Sequence, residues 1–184
     1  MKKIDPTILR ELIEYAPETG RFHWRFRDRK WFDSDRVYKS WNTKWAGKEA
    51  FTSTNAYGYK QARVLGEQIT GAHQLAWAIH CGEWPSGLID HINGDKTDNR
   101  ICNLRDVKNS ESMKNLPIRK DNKSGICGVC WDSRRGGWLA GIGVSGRTKF
   151  LGCFDSVDLA ANARRAAEES FGYHANHGRA GVAL

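Results

Sequence analysis

The chain has 184 residues, 40% of them hydrophobic and eight of them Trp, enough apolar material for a core and too much for wholesale disorder. No stretch approaches the roughly 18 apolar residues of a membrane span, and Met1-Lys2-Lys3 runs into Ile4-Asp5-Pro6 where a signal peptide would turn apolar. Five Cys without a secretory signal point to reduced thiols in a cytoplasm, and a net charge of +8 suits a polyanionic partner. That charge is uneven: +5 over residues 1–60, −1 over 61–116 and +4 over 117–184. Two basic flanks bracket a near-neutral middle.

In chain order, residues 5–16 predict a short helix, with Asp5 as N-cap, Pro6 in the first turn and Ile8, Leu9, Leu12 and Ile13 on one stripe. Arg21–Arg27 alternates as a strand, sending Phe22, Trp24 and Phe26 to the core and Arg21, Arg25 and Arg27 outward, where they could follow phosphates or serve as a charged edge. Residues 28–56 read as loop with a short strand near 48–52. A strand over Tyr57–Val64, a turn at Gly66-Glu67 and a second strand near 68–71 lead to a helix over His73–His80, stopped by Gly82. His73 opens that helix and suits a structural hydrogen bond. Asn115–Gly125 reads as a linker. Three alternating runs follow, Cys127–Ser133, Trp138–Ser145 and Thr148–Cys153, and then a helix from Ser156 to Phe171 whose apolar face is Leu159, Ala163, Ala166, Ala167 and Phe171. Cys127 and Cys130 form a C-x-x-C without a partner pair, and read as thiols rather than zinc ligands.

The densest signal is LIDHINGDKTDNRICNLRDV, residues 88–107. Leu88 and Ile89 read as a strand entry that would set Asp90 and His91 at a solvent-accessible loop end. A long polar loop is the bland reading. The alternative is a hydrolytic site: Asp90 offers a hard oxygen to Mg²⁺ or Mn²⁺, and His91 titrates near neutrality and can take a proton from water. Asn side chains can clamp such a loop through its backbone, and residues 107–116 can form a helix that packs back across it.

The pattern D-H-I-N-G-x-x-x-D-N-R-x-x-N-L-R resembles the core of the HNH nucleases, above all the phage and intron-encoded homing endonucleases of ββα-metal fold. YAPETGRFHW, HQLAW and GEWP upstream extend the resemblance to residues 8–115. It implies a divalent metal, Mg²⁺ or Mn²⁺, with Asp90 as ligand, His91 as general base, Asn103 as the residue fixing the loop, and Arg100 and Arg105 on the DNA side. The second metal ligand of that family, a His or Asn, falls here on Ser112, a poorer donor.

Residues 125–178 resemble the Apetala2-type (ethylene-response-factor) DNA-binding domain, through Gly128-Val129, Trp138, Ala140, Ile142, Leu151-Gly152, Phe154, Ala160-Ala161 and Ala175-Asn176. This resemblance implies a three-stranded sheet against double-stranded DNA, with Arg134, Arg135, Arg147 and Lys149 as phosphate-directed candidates. The expected fold is therefore α+β. A β-rich DNA-binding or supporting region (1–70) precedes a ββα-metal HNH core (71–116), a linker (117–124), and a three-stranded antiparallel sheet with one helix (125–178). The expected function is metal-dependent DNA nicking or cleavage, and the alternative is an HNH-fold DNA-binding protein weakened or inactivated at Ser112.

Overall fold

The computed structural model describes residues 3–179. The chain divides into two compact units, Met1–Asp106 and Val107–Leu184, each mixing helices with small sheets.

The first unit opens with α1 (Pro6–Leu12), where the Asp5 carboxylate accepts the Thr7 amide at 2.8 Å. The sequence extends this helix to residue 16, but Ile13–Ala16 is strand β1, paired antiparallel with β2 (Arg21–Trp24). Pairing overrides helix propensity here because it buries Ile13 and stacks Tyr15 on Phe22 at 5.0 Å.

The expected alternation from Arg21 to Arg27 stops at Trp24. Beyond it Phe26 is 64% exposed and Arg27 is buried, the reverse of the sequence expectation. The cause is Asn42, whose side chain accepts the Arg27 amide at 2.9 Å and donates to the Arg27 carbonyl at 3.0 Å. Asn42 lies on α2 (Asp35–Trp45), a helix where the sequence expectation was loop. Its signal is nonetheless local: Ser34 caps the Val37 amide, and Tyr38, Trp41 and Trp45 recur at helical spacing.

β3 (Glu49–Ala50) completes the first sheet, in the order β1-β2-β3. β4 (Ser53–Thr54), β5 (Lys60–Val64) and β6 (Glu67–Ile69) form the second, with Leu65 and Gly66 both at positive φ in the β5–β6 turn. Helix α3 (Ala72–Cys81) ends at left-handed Gly82, as its sequence requires. Leu9, Leu12, Phe22, Phe51, Val64 and Leu75 meet in the core of this unit. β7 (Leu88–His91) and β8 (Leu104–Val107) form a two-stranded sheet at its end.

In the second unit, α4 (Asn109–Ser112) is one turn, continued as a 3₁₀ turn over Met113–Asn115; the longer helix expected from 107 to 116 does not form. Asn115 is buried, and the Arg179 guanidinium donates to its carbonyl at 2.6 Å and to its Oδ1 at 3.1 Å. β9 (Val129–Asp132), β10 (Gly137–Val144) and β11 (Arg147–Phe154) form the expected antiparallel sheet, and α5 (Val157–Ser170) packs on it behind a Ser156 cap. The buried face of α5 is Ala160, Ala161, Arg164 and Ala167, while Leu159 is 53% exposed. The expected face is thus turned by one residue. Arg164 turns it, because its buried guanidinium donates to Glu168 at 2.8 Å and to the Gly141 carbonyl.

Gly20 ties the first sheet to the loop between β7 and β8. It has φ +69, and a Cβ there would lie 2.5 Å from the Arg100 amide nitrogen and 2.6 Å from the Asn99 carbonyl carbon. Gly20→Ala therefore combines left-handed strain with a backbone clash, and should destabilise the protein by about 2 kcal/mol or more. Urea unfolding measures this; an unchanged midpoint would mean that the loop at Asn99 yields without cost.

Candidate active site

The polar stretch after β7 is consumed in holding its own shape. The Ile92 amide donates to the Asn103 carbonyl at 2.9 Å. The buried Asn103 side chain accepts the Asn93 amide at 2.9 Å, and donates to Asn93 Oδ1 at 3.0 Å and to the Asp98 carbonyl at 2.8 Å. Asn93 donates to Asp98 Oδ2 at 2.8 Å, and Asp95 accepts the amide and hydroxyl of Thr97. Side chains thereby replace the ladder bonds that this stretch of backbone lacks.

Outside support comes from the first sheet. Tyr15 Oη donates to the Asn99 carbonyl at 2.7 Å, and the Ile101 amide donates to the Pro17 carbonyl at 3.0 Å. At the other end of the hairpin, Asp106 accepts the Ser86 amide, the Ser86 hydroxyl and the Gly87 amide. Both ends of the hairpin are pinned.

His91 lies within β7 and is 4% exposed, not at an open loop end as the sequence suggests. Its Nε2 meets Oδ1 of the fully buried Asn99 at 3.3 Å. An amide oxygen only accepts, so this contact assigns the proton of the neutral ring to Nε2 and the lone pair to Nδ1. Burial pulls the His91 pKa below its ordinary value, while the Asn99 bond and then Asp90, Asp95 and Asp98 pull it upward. A ring kept neutral in this way can accept a proton.

Around His91 stand two rings whose roles the sequence does not show. His73, 7% exposed, has its ring centroid 5.0 Å from that of His91 and 4.7 Å from that of Tyr59. Its Nδ1 has no hydrogen-bond partner, so the hydrogen bond expected of it is replaced, at that atom, by ring packing. Burial, and secondarily His91, lower its pKa to about 3. Tyr59 is raised above its ordinary value by burial and then by Asp90. The Lys96 ammonium, which donates to the Tyr57 carbonyl at 2.9 Å, stands 5.0 Å from the Tyr59 ring centre.

Asp90 accepts from Arg105 through Nε at 3.1 Å and Nη2 at 2.7 Å, both on Oδ2. Arg105, expected to face DNA, thus holds a carboxylate, with its side chain still 31% exposed. Arg100 likewise grips Asp98 at 2.8 and 2.7 Å, which lowers the Asp98 pKa to about 2 and leaves the Arg100 side chain 48% exposed. Asp90 has the hard anionic oxygen that suits Mg²⁺ or Mn²⁺, ions that commonly need only one or two carboxylates beside water and substrate phosphate. Among the described residues no group of three or more His, Cys, Asp or Glu could hold a metal ion. Ser112, half-buried at the end of α4, belongs to the second unit.

The remaining basic candidates separate by environment. Arg21 and Arg25 are exposed, whereas Arg27 is buried with its guanidinium 3.8 Å from the Trp41 ring centre and 5.1 Å from that of Trp24; it is not open to a phosphate. Burial lowers its pKa to about 10. In the second unit Lys149 pairs with buried Ile142, and Arg147 with Val144, so both side chains leave the sheet on the side of α5; the Lys149 ammonium lies 5.2 Å from the Phe171 ring centre. Phe150, paired with Gly141, faces the opposite side, and Arg135 lies over its ring at 5.5 Å. Arg134 is exposed in the β9–β10 turn.

The neutral histidines give the site an acid liability. The unfolded chain binds a proton on His73 near pH 6.5 and the folded chain only near pH 3, so stability rises with pH across that window and is lost as pH falls through it. His73→Phe keeps a ring and removes the titration. It should erase on the order of 2 kcal/mol of the stability lost between about pH 7.5 and about pH 4.5. Urea titrations at both pH values check this, and equal losses in the two proteins would refute a neutral buried His73.

Two comparisons bear on this region. A protein-family model described as HNH endonuclease matches residues 70–114, which span α3, both strands of the hairpin and the polar loop. Protein 3.8 of Escherichia phage T7 is 29% identical over 104 residues, covering 56% of this chain and 86% of the phage protein. No solved structure matches the chain.

Proposed function

We propose that the protein is a metal-dependent DNA endonuclease of the HNH class, of the homing type, that nicks or cleaves double-stranded DNA. The observation that carries this reading is the Asp90-His91 pair inside the HNH-matched segment, with the His91 ring held by Asn99 on a loop locked by Asn103. His91 Nδ1 takes a proton from water as the water attacks the phosphate. Asn99 keeps the ring in the tautomer this requires, and Asn103 keeps Asn99 and His91 in register by fixing the backbone between them. Asp90 would hold the divalent cation, with Ser112 at the second-ligand position of the resembling family. A bound Mg²⁺ or Mn²⁺ supplies charge stabilisation at the scissile phosphate and the departing oxygen.

Arg21, Arg25, Arg100 and Arg105 supply positive charge for the DNA backbone in the first unit. Arg134 and Arg135 do so from the open side of the C-terminal sheet, as its Apetala2-type resemblance implies, and Arg147 and Lys149 would reach phosphates only from the sheet edge. A DNA-binding protein with weakened catalysis is the second reading. It is favoured by the ion pair that places a guanidinium on the oxygen of Asp90, and by the poor donor at Ser112.

Supercoiled plasmid incubated with Mg²⁺, Mn²⁺ or EDTA separates the readings. Nicking should require metal, and His91→Gln, which suits this buried position better than Ala, should lower the rate roughly 10²–10⁴-fold while unfolding stays cooperative. Undiminished nicking by the variant would dismiss His91 as the base. Intact plasmid under every metal, with DNA still bound, would favour the second reading.

The basic turn of the C-terminal sheet is tested by salt dependence. Replacing Arg134 and Arg135 by Ala should flatten the log–log plot of affinity against salt by about 0.9 for each phosphate that the protein no longer neutralises. Both side chains are exposed, so stability should not change. An unaltered slope would assign that turn no role in DNA binding.

A further inference from the structure

In the first unit, away from the polar loop, a cavity of about 340 Å³ lies beside the C-terminal end of α2. Trp24, Trp41, Trp45 and Phe51 line it. The Trp24 and Phe51 rings are near parallel at 6.2 Å, Trp41 meets Trp24 edge-on at 5.9 Å, and Trp45 is 39% exposed. Phe51 is held at φ +58, a left-handed conformation that a bulky residue adopts only at a cost. The conformation sets its ring into the core against Phe22 at 4.9 Å, so Phe51 closes the floor of the cavity and the open walls are Trp41 and Trp45.

Apart from Ala50 and Ala62, the rest of the lining is polar. Glu49 offers an acceptor, Gln61 both a donor and an acceptor, and Arg63 donors; Gln68 bridges the last two, donating to Gln61 at 3.3 Å and accepting from Arg63 at 3.4 Å. The Lys44 ammonium stands 4.9 Å from the Trp45 ring centre, and residues 1–60 carry a net charge of +5. A flat aromatic slot with mixed hydrogen-bonding groups and a cationic surround matches a planar heterocycle attached to an anionic backbone.

We propose that this cavity receives one unstacked nucleobase of the bound DNA, an inference that rests on the DNA reading above. The base would stack on the tryptophan walls and present its edge to Glu49, Gln61 and Arg63, while Lys44 neutralises the adjoining phosphate. This gives the N-terminal unit a means of gripping a strand where the duplex is opened, separate from the chemistry at His91.

The test uses the full chain and two short duplexes alike except for one extrahelical 2-aminopurine. The wild type should bind the bulged duplex roughly 10-fold tighter than the paired one, the gain expected of one base–aromatic stack, and the emission of the 2-aminopurine should change on binding. Trp45→Ala should lose that preference without weakening binding to the paired duplex, and Trp45→Phe should retain most of it. An equal preference in Trp45→Ala, or an emission unmoved by binding, overturns the proposal while leaving DNA binding intact. Failure of the wild type to bind either duplex overturns the DNA reading itself, and the proposal with it. Cooperative unfolding of both variants guards against a fold defect, and Trp45 is exposed enough for both to fold.

Discussion

The side-chain amide of Asn103 is the constraint on which the site depends. The loop between β7 and β8 has almost no ladder bonds of its own, and one buried amide meets it at Asn93 and at the carbonyl of Asp98. Each such bond contributes only about 1 kcal/mol net, but an unmet buried partner costs roughly 1–3 kcal/mol, so the bonds stand or fall together. Because Asn99 directly follows the second of these anchors, the His91–Asn99 contact is a consequence of them. The β1–β2 turn supplies the third anchor, through Tyr15, Pro17 and the missing side chain of Gly20.

Electrostatics divides the neighbourhood sharply. The two histidines are held neutral by burial, Asp98 is held ionised by Arg100, and Asp90 is paired with Arg105. In the reading proposed above, the neutral imidazole is the group that accepts the proton of water. The Asp90–Arg105 pair has a dual character. It fixes the direction of the carboxylate, and it also puts a positive charge where a cation would compete. Phosphate is a natural second partner for that guanidinium, whose side chain is still partly open to solvent.

What is legible in the sequence follows from how local its causes are. The polar loop can be read because the side-chain bonds within it span about ten positions or fewer, so spacing carries the geometry. The Ser156 cap, the Gly82 stop and the β9–β11 runs are legible for the same reason. The departures are non-local. Nothing near Arg27 announces that Asn42 will hold its backbone and invert the alternation after Trp24, and nothing near Ile13 says that pairing with Trp24 will end α1. His91 looks exposed because its neighbours in sequence are polar, but its neighbours in space are Tyr59, His73 and Asn99. The helix α2 is a different matter, because its cap and aromatic spacing are local signals.

The second unit shows how strand parity limits what composition can promise. Four basic residues near a three-stranded sheet look like one patch in the sequence. Pairing separates them: Arg147 and Lys149 stand opposite Val144 and the buried Ile142 on the side of α5, while Arg135 covers Phe150 on the other. The sequence places Phe150 one residue from Lys149, and the pleat turns that single step into opposite faces. On the open side Phe150 is 56% exposed with Arg135 over its ring, whereas the Tyr173 hydroxyl donates to the Gly143 carbonyl at 2.7 Å. Strand parity, rather than composition, thus decides which of the four charges can act together.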